Sequence, residues 1–418
     1  MYKNSYMEKI GKNAKIASNN LSNLSINKKN AVLKQFYNYL KIYSKLILKA
    51  NQKDMLKVKK NKSNMIDRLE LSNEKITQIR KSIKEIIKFR DPLGKILSSW
   101  KRPNGLIIKR VSIPIGIIGI IYESRPNVTS DVSALCFKTG NTVILRGGSE
   151  AFYSNKILSD LFRKALEKNN CNKNCVQFIE KQSRENVDYL LSGMQKYIDV
   201  IIPRGGKSLV KKIKTKSKVP TIGHLEAICH VYIDRNASLD MAIKIVKNSK
   251  MRNFSICGAV ETLLIDKKCL KTHCQPILNE LAKMGCKIRG DKTIKKNFSN
   301  KIKIATSKDW DTEYLSPTIS VKSVNGVEDA ICHINKHGTF HTDSIVTKNK
   351  KIAKKFLSNI NSSIAVHNAS TQFADGGEFG FGAEVGISTE KLHPRGPVGL
   401  DQLTTYKYIL EGKGQIRK

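Results

Sequence analysis

Four runs of this chain, GIIGIIYES, NTVILRG, VQFIE and YIDVIIPRGG, are apolar almost throughout, and a helix-length stretch separates each from the next. A strand that is apolar on both faces has no side to turn to water, so it belongs inside a sheet covered above and below. Strands separated by helices are not hairpin partners. Both conditions are met by a parallel sheet with helices on each face. The intervening helices are predicted in DVSALCFKTG, EAFYSNKILSDLFRKALEKN and RENVDYLLSGM. A second alternating set runs from about Leu239 to Asn361, with ETLLIDK, TISVKSV and DSIVTK as its clearest strands. An α/β protein with two parallel-sheet domains follows.

Two segments stand outside the alternation. From Met7 to about Phe89, apolar residues fall three and four apart, as in NAVLKQFYNYLKIYSKLILKAN and ITQIRKSIKEIIKF. That period predicts amphipathic helices that pack on the later sheet. In SSWKRPNGLIIKRVSIPIG, Asn104-Gly105 lies between two extended runs, a strong hairpin signal. A projecting two-stranded ribbon is expected from Trp100 to Arg110.

With 418 residues the chain is long enough for two or three domains. Nine irregularly spaced cysteines, an odd number, argue against a disulfide framework and for a reducing compartment. MYKNSYMEKIGKNAKIASNN lacks an apolar core of signal-peptide length, and no run approaches the ~18 apolar residues of a membrane helix. A soluble, cytoplasmic protein with no membrane partner is expected. The formal charge of +40 raises the question of nucleic acid. The lysines are scattered through every segment, however, as in LKVKKNKSNMIDR, and aromatic residues are 7% of the chain, so base-stacking platforms are poorly supplied. A solvated surface accounts for the charge, and no nucleic-acid partner is expected.

None of the strands is followed by G-x-G-x-x-G. Two other strand-to-helix turns carry glycine: Leu145-Arg146-Gly147-Gly148-Ser149-Glu150 and Ile202-Pro203-Arg204-Gly205-Gly206-Lys207. Each sets backbone N–H groups and a cation at a helix start, which suits a phosphate; each could equally be a plain turn. In YESRPNVTSD, Pro126 pushes Arg125 toward an extended conformation, and Asn127 either caps a helix or offers its amide to an oxyanion. NFSICGAVETLLI puts Cys257 between small residues just before a strand. A free cysteine there is a core filler or a nucleophile, and the stretch by itself leaves both open.

Longer ordered motifs carry a resemblance. PIGIIGIIYESRPNVTSDVSALCFKTGNTVILRGGSEA, VIIPRGGKSLV, GHLEAICHVYID, Cys257 with ETLLI, EYLSPTISV and NASTQFADGGEFGFGAEVGISTEKLHPRGPVGL together resemble the γ-glutamyl phosphate reductase branch of the aldehyde dehydrogenase superfamily, and the likeness extends from ILKAN to LTTYKYILEGKGQIR. The resemblance implies NADPH-dependent reduction of L-glutamate 5-phosphate to L-glutamate 5-semialdehyde, with phosphate release through a cysteinyl thioester, in proline biosynthesis. It implies Cys257 as the nucleophile and Asn127 as a holder of the oxyanion. NADPH is assigned Arg146, Gly147, Gly148, Ser149, Pro203, Arg204, Gly205, Gly206 and Glu313. The substrate is assigned Glu123, Ser124, Arg125, Ser370, Thr371 and Arg395. The implied domains are an NADPH-binding domain of residues 1–96 and 113–238 with part of 363–396, a catalytic domain of 239–362, and an oligomerisation ribbon of 97–112 and 397–418. A homo-oligomer, dimeric or larger, is implied. An acyl phosphate whose own amine can attack it adds transient contact with a glutamate kinase. Lys250 and Arg252 are expected to make the setting of Cys257 electropositive.

The chain departs from the branch at several positions. Gly258 follows the cysteine where similar proteins have Asn, and Phe254-Ser255-Ile256 precede it where Pro is usual. Gln372 replaces an Arg, so a cation near the substrate is expected to be missing. Glu226 or Gly223 falls where hydrolytic aldehyde dehydrogenases carry a glutamate base. A hydrolytic aldehyde dehydrogenase of the same fold is therefore the alternative reading, and a basic nucleic-acid-binding protein the remote one. No metal is expected: His333, His337 and His341 are spaced by four but Gly338 interrupts the helix, and Cys171 and Cys175 lack a second ligand pair.

Overall fold

The computed structural model describes residues 4–58, 66, 68–123, 125–298 and 302–417. The chain forms two units, one of residues 1–223, 380–386 and 397–418, the other of 224–379 and 387–396.

The first unit is built on a four-stranded sheet in the order Val176–Phe178, Thr142–Gly147, Ile117–Tyr122, Val200–Arg204, with every pair parallel. Ile117–Tyr122 is buried along its whole length, as its unbroken apolar run requires. Alternate side chains of that strand serve opposite cores. Ile118, Ile120 and Tyr122 pack with Leu33 and Phe36 of helix Ile26–Ile42, Ile83 of helix Asn73–Lys88, Phe137 and Phe162. Ile117 and Ile121 pack with Met7 and Ile10 of helix Ser5–Leu21, Leu190 and Ile213. Each fully buried isoleucine contributes about 1.5–3 kcal/mol of transfer free energy, which is why the N-terminal amphipathic helices fold onto strands that follow them in the chain. Their starts are set locally: Ser25 and Ser72 each accept a hydrogen bond from a backbone N–H of the first turn, the usual cap for groups that have no intrahelical partner.

The hairpin forms as its turn residues require. Ile96–Lys101 pairs antiparallel with Ile107–Pro114, and Gly105 takes a φ of +88° at the turn, where a residue with a Cβ is strained. A third strand, Thr404–Glu411, from the segment that the resemblance groups with the hairpin, adds antiparallel to the other side of Ile107–Pro114. Its root is tied to the sheet through Asn141, whose amide donates to the Leu403 carbonyl at 2.8 Å and whose oxygen accepts from Gly116 N.

The second unit holds a seven-stranded sheet in the order Lys303–Ile304, Lys287–Gly290, Thr318–Val324, Val260–Asp266, Cys229–Ile233, Thr342–Val346, Ile364–His367, again parallel throughout. Helices Leu239–Met251 and Leu270–Lys283 cover one face; Val327–His337 and Lys350–Asn359 cover the other. The division between the units therefore falls at 223/224 rather than 238/239. Cys229–Ile233 is hydrogen-bonded to Val260–Asp266 and Thr342–Val346, so the segment expected to close the first domain lies near the middle of the second sheet. Residues 363–379 also belong to the second unit.

Candidate active site

Within the first unit the chain runs from Ile117–Tyr122 outward through Thr142–Gly147 to Val176–Phe178, then returns to lay Val200–Arg204 on the opposite side of Ile117–Tyr122. This is a switch point, where the connections leave in opposite directions and a crevice opens beyond the carboxyl ends of the strands, the general ligand position of open α/β sheets. The residues at those ends are Tyr122-Glu123, Gly147-Gly148-Ser149 and Arg204-Gly205-Gly206, which include most of the residues assigned to the cofactor and Glu123, assigned to the substrate.

Their contacts differ between the two glycine turns. At the second, helix Lys207–Lys216 starts at Gly206 without a side-chain cap. Gly205 and Gly206 are exposed, and the positive end of the helix lies behind them. Glu123 accepts the Gly206 N–H at 2.8 Å and braces the turn, a role that sequence reasoning did not give it. Arg204 packs against Gly386, where an added Cβ would lie 3.2 Å from its side chain. At the first turn Arg146 is half-buried, donates to the Gly147 carbonyl, and has its Nε buried without a partner; burial holds its pKa below the usual guanidinium value. Ser149 is exposed and opens a single turn of 3-10 helix. Two arginines beside the strand ends, one with an orphaned buried guanidinium nitrogen, suit the anionic half of a nicotinamide dinucleotide.

Pro126 is the first residue of helix Pro126–Lys138, and Arg125 before it is extended, with φ −141° and ψ 85°. Asn127, exposed in the first turn, donates from its amide to Asp131 at 3.2 Å. Asp131 is pushed up to about 6 by burial, against the pull of its hydrogen bonds and Arg204. One amide hydrogen of Asn127 is thus committed to holding the side chain in place. Ser124 lies outside the described residues.

In the second unit Cys257 sits in the turns that link helix Leu239–Met251 to strand Val260–Asp266. It is half-buried, whereas Cys136, Cys171, Cys175, Cys229, Cys269, Cys274 and Cys286 are buried and Cys332 is exposed. It packs against the buried cluster of Ile364, Ala374 and Ile387. The Cys229 thiol donates to the Cys257 carbonyl at 3.2 Å, and burial drives Cys229 well above the ordinary thiol range.

Two buried devices hold this connector. Lys250, at the helix end, pairs with Glu261 on the strand at 2.6 Å, with side-chain exposures of 0% and 1%. Gln372 donates from its amide to the Ser249 carbonyl at 2.9 Å and the Asn253 carbonyl at 3.0 Å, and accepts from Arg252 Nε at 3.0 Å. Lys250, expected to supply positive potential to the thiol, is instead turned to Glu261. Arg252 is likewise turned to Gln372. Where a cation was expected to be lost at 372, the amide binds both the carbonyls and the neighbouring guanidinium. A Cβ at Gly258 would lie 3.0 Å from the Thr371 carbonyl oxygen, so a side chain there requires that carbonyl to shift by a few tenths of an ångström.

Ser370 is buried, accepts from Ser249 Oγ at 3.1 Å and caps the short turn Thr371–Phe373. Thr371 is buried with its backbone N–H on Ser249 Oγ and its own hydroxyl without a partner. Arg395, half-buried, donates to the Asn361 carbonyl. Glu313 lies close enough to Glu261 for its charge to raise that carboxyl. The structure thus brings Cys257, Ser370 and Thr371 to one region of the second unit.

Sequence reasoning missed two imidazoles. A ring nitrogen of His224, one of His341 and the Cys257 sulfur all lie within 4.8 Å of one another, and the rings meet edge to face with centroids 4.9 Å apart. His224, Cys257 and His341 precede strands Cys229–Ile233, Val260–Asp266 and Thr342–Val346, which are neighbours in the sheet, so their leading loops converge at one edge. His333 and His337 stay together, ring to ring at 4.5 Å, while His341 lies beyond the helix that ends at His337.

The aldehyde dehydrogenase family model matches residues 2–294. The chain is 46% identical to the gamma-glutamyl phosphate reductase of Bartonella tribocorum over 98% of its own length and 100% of that protein. It superposes on the crystal structure of gamma-glutamyl phosphate reductase from Thermotoga maritima with a TM-score of 0.95 at 40% identity, covering 99% of this chain and 100% of the other. The acetylating aldehyde dehydrogenase of Geobacillus thermoglucosidasius, 16% identical with a TM-score of 0.70 over 99% and 98% of the two chains, shares the fold. The chain belongs to the aldehyde dehydrogenase family, and within it to the gamma-glutamyl phosphate reductases. It is an enzyme that uses a nicotinamide cofactor and a small-molecule substrate.

Proposed function

We propose that this chain reduces L-glutamate 5-phosphate to L-glutamate 5-semialdehyde with release of phosphate, the second step of proline biosynthesis from glutamate, and that NADPH is the reductant. The observation that carries the reading is the likeness to gamma-glutamyl phosphate reductases along 98% of the chain. The hydrolytic alternative has less support, because position 223 carries no side chain and the group that stands beside Cys257 is the imidazole of His224.

Phosphate is a good leaving group, so the Cys257 thiolate can displace it directly. The S–C bond forms, the bond from carbon to the phosphate oxygen breaks, and a thioester remains. When bound, the nicotinamide supplies a hydride to the thioester carbonyl carbon. The resulting thiohemiacetal collapses with cleavage of its C–S bond, which frees the aldehyde and returns the sulfur to Cys257. Negative charge develops on the substrate oxygen at each addition. Asn127, its orientation fixed by Asp131, is the donor assigned to that oxygen. Arg204 and Arg146 are assigned to the 2′-phosphate, with the Gly205-Gly206 cradle on the pyrophosphate.

The three-stranded ribbon exposes Trp100, Tyr406, Tyr408 and Leu410 and leaves unpaired ladder groups at its outer strands. We assign it to self-association, a dimer at least. Cytoplasmic location and hand-over from a glutamate kinase complete the reading. The deciding assay supplies purified protein with glutamate 5-semialdehyde and NADP. Reduction of NADP that requires phosphate is expected; reduction that proceeds without phosphate would identify a hydrolytic enzyme.

A further inference from the structure

We propose that His224, Cys257 and His341 form a reversible site for a soft divalent metal ion, Zn2+ or Cd2+, that locks the thiol. Its consequence for turnover rests on Cys257 being the nucleophile; the site itself does not.

Three segments far apart in the chain bring one sulfur and two ring nitrogens within 4.8 Å of one another. His224 has Nδ1 2.7 Å from the Ile387 carbonyl oxygen. A carbonyl only accepts, so Nδ1 carries the hydrogen and Nε2 keeps its lone pair. A histidine whose second nitrogen donates to a backbone carbonyl is the arrangement that orients metal-binding imidazoles. His341 is fully buried, and its Nε2 has no hydrogen-bond partner, while Nδ1 faces Thr342 Oγ1 at 2.9 Å. An orphaned nitrogen in that position costs about 1–3 kcal/mol, which a metal bond would offset.

Metal–sulfur and metal–nitrogen bonds of about 2.3 and 2.0–2.1 Å place ligand atoms roughly 3.6 Å apart in a tetrahedron. Closure by about 1 Å is needed, and the turns around Cys257 can supply it. One thiolate with two imidazoles favours soft or borderline ions over Mg2+ or Ca2+, and three protein ligands leave a fourth position for water. On binding, the S–H bond breaks, its proton goes to solvent and a sulfur–metal bond forms, with no change in oxidation state. The lone pair needed for attack on the substrate is then committed to the metal.

The test titrates the full chain with Co2+ as a spectroscopic probe and then with Zn2+. One equivalent of Co2+ should give a near-ultraviolet sulfur-to-cobalt charge-transfer band that Zn2+ removes and Cys257→Ser lacks. Zn2+ should slow iodoacetamide labelling of Cys257, followed on its own peptide, at least tenfold, and a chelator should restore it. His224→Gln, at a half-buried position, should weaken Zn2+ binding at least tenfold; His341→Gln should do the same if it folds. The proposal is overturned if Cys257→Ser binds Co2+ with unchanged affinity and spectrum, or if saturating Zn2+ leaves the labelling rate unchanged. Zn2+ that blocks labelling but not turnover would keep the site and remove Cys257 from the reaction.

Discussion

Replacing Lys250 by Met should cost stability in a way that grows with pH. The pair with Glu261 is buried at both ends, and burial pushes the Glu261 carboxyl up to about 7, with Lys250 and the Leu315 N–H opposing and Glu313 adding to the rise. A carboxyl whose folded pKa lies above its unfolded value binds its proton more tightly in the folded state. Its contribution to stability is therefore complete below about pH 4.5 and is lost as pH rises through 7. That difference of about 2.5 pKa units corresponds to about 3 kcal/mol. Lys250→Met removes the main charge holding the carboxyl down, so the folded pKa climbs and the loss continues to higher pH, at up to about 1.4 kcal/mol per unit. Between pH 7 and 8.5 the penalty should deepen by about 2 kcal/mol, because the unpaired carboxyl stays protonated in the folded chain while it is ionised in the unfolded one. For a unit of this size 2 kcal/mol is roughly 4–8 °C of melting temperature. Thermal unfolding of wild type, Lys250→Met and Lys250→Met/Glu261→Gln at pH 6, 7 and 8.5 checks it. The double variant should lose the pH-dependent part. A penalty equal at all three pH values, or one that persists in the double variant, refutes the reasoning.

Gln372→Leu removes the partner of the buried Ser249 carbonyl, so its urea midpoint should fall by the equivalent of about 1–3 kcal/mol; a change under about 0.5 kcal/mol, the scale of ordinary surface substitutions, would contradict its clamping role. Cys257→Ala should abolish turnover, while Cys136→Ala and Cys229→Ala keep it, because burial holds both of those thiols above the ordinary range; turnover by a folded Cys257→Ala protein removes it from the mechanism. NADPH should be preferred to NADH, and Arg204→Ala should erode the preference by roughly tenfold or more, as expected for a charge-assisted contact of about 1.5–3 kcal/mol; equal Michaelis constants for the two cofactors in wild type contradict the assignment. Sedimentation at micromolar concentration should show a species larger than the 47.0 kDa chain, and a 47.0 kDa species alone ends the assignment of the ribbon to self-association.

The strands were legible where burial on two faces leaves an unbroken apolar run, as in Ile117–Tyr122, whereas the helix expected in DVSALCFKTG begins five residues earlier, at Pro126. What could not be read is anything decided by which strands become neighbours. Cys229–Ile233 has the same pattern whichever sheet it joins. Thr404–Glu411 alternates Thr, Tyr and Lys in a way that names no partner. His224 and His341 look like isolated histidines until the order of the second sheet lines up the loops before its strands. Lys250 reads as a solvated cation because nothing in the local sequence shows that Glu261, eleven residues on, is buried beside it.

The chain leaves the first unit after residue 223 and returns to it for 380–386 and again from 397, so neither unit is a continuous stretch of polypeptide. The ribbon shows what this means during synthesis. Lys109 and its partner Glu411 are 302 residues apart, and at about 5–20 residues per second a ribosome needs roughly 15–60 s to travel between them. For that interval Ile107–Pro114 has an open edge and no third strand. The ribbon acquires Thr404–Glu411 only after the second unit has been translated, so this part of the first unit is completed last.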